Sequence, residues 1–125
     1  MTKDQLEWMF EVVENARRGN QRAKDALLLI LETERKAIIT AKLFKGDVKR
    51  QDVRDGRHDV VVRVAERIEQ LRATRAYFKW ESRIINEVCK KYRRGYRLLA
   101  ELSEAALSKL DGQTQFVGAL DAELY

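Results

Sequence analysis

The chain has 125 residues, of which 36% are charged and 45% hydrophobic, with six glycines, no proline, one histidine and one cysteine. This composition indicates a single, mostly helical domain with its own core, and the lone cysteine excludes an internal disulfide and fits a reducing compartment. No stretch is apolar enough for a transmembrane helix, and residues 1–10 lack the apolar run of a secretory signal. We therefore expect a cytoplasmic protein without a membrane span.

Apolar residues recur at helical spacing almost throughout, without the sustained alternation that is typical of strands. We predict an all-α fold, a compact bundle of four to five helices. The predicted helices cover residues 3–17, 21–44, 53–72 and 77–94, and a further amphipathic segment covers 96–110. Gly19 suits the left-handed end of the first helix, while the polar segment 45–52 and residues 73–76 connect the later ones. Residues 111–115 have the composition of a loop before a C-terminal tail.

The net charge of +5 is concentrated in one part of the chain. Residues 72–98 contain nine cations against two acids, Glu81 and Glu87, which is a net of +7. Residues 99–125 contain five acids against Lys109, which is a net of −4. The distribution of charge is therefore more informative than its sum.

Residues 77–97 separate into two faces when they are placed on a helical wheel. One face carries Tyr77, Trp80, Ile84, Val88 and Tyr92. The other face, which we call the cationic ridge, carries Lys79, Arg83, Asn86, Lys90, Arg93 and Arg97. Such a ridge suits phosphates, and an asparagine within it is a residue type that can read a base edge.

Two interpretations of this segment stand on the residues alone. The ridge with Tyr77, Phe78 and Trp80 at its start suits single-stranded nucleic acid, because aromatic side chains stack on bases while cations neutralise the backbone. A solvated helix face beside core aromatics explains the same pattern. An enzyme is not indicated, since His58 is the only histidine, Cys89 has no second cysteine and no glycine-rich phosphate loop occurs. We predict no cofactor and no metal.

Three blocks, in order and with sensible spacing, carry a resemblance to a known family. They are "ARRGNQRAKDALL" at 16–28, "RDGRHDVVVRVAERI" at 54–68 and "YFKWESRIINEVCKKYRR" at 77–94. Together they resemble region two of bacterial RNA polymerase sigma factors, especially the extracytoplasmic-function class. Glu81, Glu87 and Lys91 depart from the family pattern, Glu81 at a position that is usually apolar.

The resemblance implies a module that docks on core RNA polymerase and binds and melts the promoter −10 element. The residues matching the part that contacts the clamp helices of the beta-prime subunit are Asp55, His58, Asp59 and Arg63. His58 and Asp59 are expected to be exposed, because the family uses these positions at an interface. The promoter DNA would be contacted by Tyr77, Phe78, Lys79, Trp80, Arg83, Asn86, Lys90, Arg93, Arg94 and Arg97, of which Arg93 and Arg97 are predicted from the ridge. The alternative is a sigma-like helical regulator or adaptor that binds proteins without recognising a promoter.

The resemblance also divides the chain. Residues 1–96 form the region-two-like domain, and residues 97–125 form a C-terminal helix and acidic tail. Nothing after residue 95 resembles the domain that reads the −35 element. We therefore expect either a fragment whose tail is a linker to a second DNA-binding domain, or a stand-alone protein whose partner supplies that domain. An anti-sigma factor is a further partner that the resemblance implies.

Overall fold

The computed structural model describes residues 1–46 and 48–108, and this part of the chain consists of five α-helices without a strand. The helices are α1 (Lys3–Arg17), α2 (Gln21–Glu32), α3 (Lys36–Lys45), α4 (Arg50–Arg67) and α5 (Tyr77–Ser108), with short 3-10 turns at Ile68–Gln70 and Thr74–Ala76. The predicted all-α fold is confirmed. The predicted loop at 111–115 and the tail lie outside the described residues.

α1 begins and ends where the sequence predicts, and α2 begins where it predicts. Thr2 and Gln5 form a capping box at the start of α1, each side chain accepting a hydrogen bond from the other's backbone N–H, at 3.2 and 2.9 Å. Gly19 adopts a φ of +92° after α1, a conformation that is strained for residues with a Cβ. Asn20 then caps α2 by accepting a hydrogen bond from the N–H of Ala23 at 3.1 Å.

The helix predicted over residues 21–44 is wrong, because the chain bends between α2 and α3. The Thr33 hydroxyl donates to the Leu29 carbonyl at 2.7 Å, and the N–H of Arg35 donates to the Ile30 carbonyl at 2.9 Å instead of continuing the regular ladder. The Arg35 side chain turns into the interior at this bend. Both helices bury one face, so the apolar spacing continues across the bend and does not reveal it.

Two other predicted helix ends are also wrong. α4 begins at Arg50 rather than at residue 53, and α5 continues through Gly95 to Ser108 as one helix of 32 residues. The Tyr96 hydroxyl supports this continuation, since it donates to Asp52 and accepts from the N–H of Lys49 at 3.2 Å near the start of α4. α5 therefore crosses residues 96 and 97, where the sequence suggests a domain boundary, without a break.

All five helices contribute buried side chains to one core. The central ones are Met9 and Val13 from α1, Leu27 and Leu31 from α2, Ile39 and Leu43 from α3, Val60 and Val64 from α4, and Ile85 and Val88 from α5. Each pair is spaced by three or four residues, the interval at which a helix presents one face. No helix within the described residues is long and apolar enough to cross a membrane.

The end of α3 lies very close to α5. A Cβ at Gly46 would lie 2.8 Å from the Cys89 Sγ and 3.1 Å from the Cys89 Cβ. The Arg93 Nε donates to the Gly46 carbonyl at 2.7 Å from the next turn of α5. A glycine is therefore favoured here, because a Cβ would be crowded against the Cys89 side chain.

Candidate nucleic-acid interface

The cationic ridge lies on the outer surface of α5. All six of its residues are exposed. On the opposite face, Tyr77, Ile84 and Val88 are buried, while Trp80 and Tyr92 are half-buried against the core. The two faces predicted from the wheel are therefore confirmed.

The cations of the ridge are not neutralised by acids within the described residues. The ion pairs in this part of the chain use other cations, namely Arg17, Arg18, Lys24, Arg35, Arg63, Arg67 and Lys91. Arg94, predicted as a DNA contact outside the ridge, is exposed and has no ion pair there either. The five cations of the ridge thus form a row of positive charge without ion pairs among the described residues, although the Arg93 Nε donates to the Gly46 carbonyl.

The two acids within the basic stretch are neutralised by other helices. Glu81 is fully buried and forms an ion pair with the buried Arg35, whose Nε also donates to Glu81 Oε2 at 3.3 Å. Glu87 accepts hydrogen bonds from Arg67 at 2.8 Å and Arg63 at 3.0 Å, and these hold the pKa of the Glu87 carboxyl below its ordinary value. Because both acids have partners away from the ridge, the local excess of positive charge remains on the surface.

Tyr77 does not reach that surface. Its side chain is fully buried, and its hydroxyl lies beside Glu81 without a hydrogen bond of good geometry among the described residues. Burial raises the pKa of the Tyr77 hydroxyl well above its ordinary value, and the charge of Glu81 adds to the shift. The predicted contact between Tyr77 and DNA does not fit this position, because the neighbouring helices cover the Tyr77 ring.

Phe78 is also largely used for packing. Its ring makes edge contacts with Phe10 and Tyr77, with ring centroids 5.8 and 5.4 Å apart. The Arg35 guanidinium lies 4.9 Å from the centroid of the Phe78 ring. Of the three predicted aromatic contacts, Trp80 is therefore the one that fits an open site.

Trp80 lines a surface cavity of 320 Å³ between α5 and the segment before it. We call this cavity the Trp80 pocket. Its cationic lining comes from Arg72, Lys79 and Arg83, and its other lining residues include Gln70 and Leu71. An indole with three cations and a side-chain amide around it can stack on a base and bind the adjoining phosphates.

The segment that forms the rim of the Trp80 pocket is held by α1. The Arg17 side chain donates to the Leu71 carbonyl at 3.3 Å and to the Thr74 hydroxyl at 3.1 Å. Glu14 accepts hydrogen bonds from Thr74 and from Arg17, and these lower the pKa of the Glu14 carboxyl to about 2. The pocket is therefore built on a fixed turn between α4 and α5.

The four residues predicted to contact polymerase fall into two groups. Asp55 and His58 are exposed on α4. Asp59, predicted to be exposed, is instead half-buried, because it accepts hydrogen bonds from Lys91 at 3.0 Å and from Tyr92 at 3.4 Å. Arg63 is half-buried and bonded to Glu87. Asp59 and Arg63 thus join α4 to α5. Of the four residues, Asp55 and His58 are the ones exposed for contact with a partner.

The same α4–α5 contact engages two further residues of α5. Lys91 and Glu87 are the α5 residues that pair with Asp59 and Arg63. Burial raises the pKa of the Tyr92 hydroxyl beside them to about 12, with Asp59 as the next largest cause.

Sequence reasoning missed two residues that shape the interface. Arg72 and Gln70 line the Trp80 pocket, and Arg72 could have been found because it lies in the basic stretch, five residues before Tyr77. No group of His, Cys, Asp and Glu side chains in the described part of the chain is arranged to hold a metal ion. No protein-family model matches the chain, and neither does any curated protein or solved structure.

Proposed function

We propose that this protein is a sigma-like transcription initiation module. Its cationic ridge and Trp80 pocket bind the single-stranded −10 region of a promoter, and the exposed Asp55 and His58 of α4 contact core RNA polymerase. The observation that carries the proposal is a row of exposed, unpaired cations that begins beside an open tryptophan pocket. The proposal places the protein in the cytoplasm, together with the polymerase.

The charge arrangement supports this function over a merely solvated helix. On a merely solvated basic helix, acids can remain beside the cations and neutralise them. Here Glu81 is paired with Arg35 in the interior, and Glu87 is paired with Arg63 and Arg67 of α4. Phosphates attract every cation of such a row, and the affinity then depends strongly on salt.

The Trp80 pocket supports single-stranded DNA over duplex DNA. A base stacks on an indole only when it has left its own stack, and such a contact contributes about 1–3 kcal/mol. Lys79 and Arg83 belong to both the pocket and the ridge, so a strand with one base in the pocket has its backbone directed along α5.

A second candidate function is a protein-binding regulator that does not recognise a promoter. The burial of Tyr77 and the packing of Phe78 favour it, because they leave one open aromatic residue where the first function is expected to use three.

The two functions are separated by measuring the affinity of the full chain for a fluorescein-labelled, single-stranded oligonucleotide by fluorescence anisotropy. We expect Trp80→Ala to weaken binding by about 1–3 kcal/mol. The matched control is Trp8→Ala, which truncates a 49% exposed tryptophan on α1 and should leave the affinity unchanged. Equal affinities for both variants would exclude the Trp80 pocket as the base-binding site.

The ridge is tested in the same assay by its salt dependence. Lys79→Gln with Arg83→Gln should lower the slope of log K against log salt by about 1.4, which is about 0.7 for each cation on a single strand. The matched control is Lys36→Gln with Arg54→Gln, two exposed cations that line a different cavity. An equal loss of slope in both double variants would indicate unspecific attraction and would count against the ridge.

A further inference from the structure

The outer face of α3 is apolar although it faces solvent. Phe44 is 45% exposed, and Ala37 and Ala41 on the same side of the helix are exposed as well. The inner face of the same helix buries Ile39 and Leu43. A helix that is apolar on both faces is typical of one that is covered on both sides, so the outer face has the composition of an interface.

This face forms the floor of a shallow groove between α3 and α4. Ala37, Ala41 and Phe44 line an open cavity of 480 Å³ together with Lys36 and Arg57. A second cavity of 310 Å³ adjoins it, since Lys36 and Arg57 also line that one, and it extends to Arg54 and His58. We call the two cavities together the α3–α4 groove.

The rim of the groove is cationic because α4 separates its charges between two sides. Arg54 and Arg57 line the groove, whereas Asp52 and Asp59 are directed to α5, where they bond Tyr96 and Lys91. Arg57 donates to the Thr40 hydroxyl at 3.2 Å, which holds its guanidinium at the rim.

The cations of this rim are also available to a ligand. Within the described residues, Lys36, Arg54 and Arg57 form no ion pair, and Glu32 is the one acid that lines the groove. An apolar floor beside a rim of free cations is complementary to a ligand that is apolar on one side and acidic along its edge.

We propose that the α3–α4 groove binds an acidic amphipathic helix of a partner protein. Apolar side chains of that helix pack over Ala37 and Ala41 beside Phe44, and its carboxylates pair with Lys36, Arg54 and Arg57. Nucleic acid fits less well, because a phosphate backbone makes no use of an apolar floor. The inference does not rest on the proposed DNA contact, since the groove shares no residue with the ridge or the Trp80 pocket. It borders the proposed polymerase contact, because His58 also lines the groove.

The test uses a fluorescein-labelled helical peptide of about four turns, with leucines on one face and glutamates beside them, titrated with the full chain. We expect saturable binding that falls at least about tenfold in Ala41→Glu, because this change places an unpaired carboxylate on the apolar floor, against the leucines of the peptide. Arg54→Glu, an exposed change on α4, should weaken binding as well. Arg22→Glu, a charge reversal at an exposed position of α2 that lines neither cavity of the groove, should bind as the wild type does, and a peptide with lysines in place of the glutamates should not bind.

Several outcomes would overturn the inference. Absence of saturable binding would do so, and so would unchanged binding in both Ala41→Glu and Arg54→Glu. A single-stranded oligonucleotide could also displace the peptide and itself fail to bind Ala41→Glu. This result would show that the groove binds nucleic acid. Sedimentation showing dimers that Ala41→Glu dissociates would make the occupant a second copy of this chain.

Discussion

Removal of either partner of the Arg35–Glu81 pair is expected to destabilise the protein strongly. Arg35 is 6% exposed and Glu81 is fully buried, so truncation of one leaves the other charge inside the core without compensation. Arg35 also packs over the ring of Phe78. The variants for this experiment are Arg35→Met, Glu81→Leu and the double variant, which keep the volume of the side chains similar.

The magnitude follows from the burial of both groups. Breaking a buried ion pair by removing one partner costs about 3–5 kcal/mol, whereas replacing both partners by apolar residues is often neutral or stabilising. Small domains unfold with a free energy of about 5–15 kcal/mol, so each single variant loses a large fraction of it. With a urea dependence of about 2 kcal/mol per molar, the unfolding midpoint should fall by roughly 2 M in each single variant and recover in the double variant.

The assay is urea unfolding followed by circular dichroism, analysed as a double-mutant cycle. The control cycle removes Asp59 and Lys91, whose side chains are 28% and 58% exposed, and its coupling energy should be about 0.2–1 kcal/mol. If the Arg35–Glu81 coupling is no larger than that of this exposed pair, the reasoning from burial is refuted.

Two further predictions concern the supports of the interface. The pKa of Glu14 is about 2 in the folded protein against an ordinary 4.5, so its contribution to stability is present above pH 4.5 and is lost as the pH falls toward 2. Glu14→Gln should therefore make the urea midpoint less dependent on pH between these values, and an unchanged dependence would contradict the bonds from Thr74 and Arg17. Gly46→Ala should cost roughly 1–3 kcal/mol by overpacking against Cys89, and less when Cys89→Ala removes the Sγ that its new Cβ would meet at 2.8 Å. An equal cost in both backgrounds, measured by thermal unfolding, would show that the crowding lies elsewhere.

The features that could be predicted from the sequence are those that depend on spacing within one helix. The cationic ridge recurs every three or four residues, and this period alone places its members on one face, as the structure has them. The end of α1 could be predicted because Gly19 and Asn20 each carry a local signal, one for a left-handed conformation and one for a helix cap.

The features that could not be predicted depend on how helices pack against one another. Arg35 and Glu81 are 46 positions apart, and nothing in either local pattern indicates that they meet. The choice between Tyr77 and Trp80 as the open aromatic residue depends on the exact rotation of α5 about its axis, because the two positions are only about 60° apart on the same face. The exposure of Asp59 was predicted wrongly for the same reason, because its α5 partners become neighbours only on folding.

The most direct test of the sigma-like function is retention of this chain by purified core RNA polymerase in a pull-down at low salt. We expect the wild type to be retained and Asp55→Lys to be lost, because Asp55 is an exposed charge on the proposed docking surface of α4. Glu11→Lys, the same charge reversal at an exposed position of α1, should be retained. Failure of the wild type to bind, or equal retention of both variants, would contradict docking through α4.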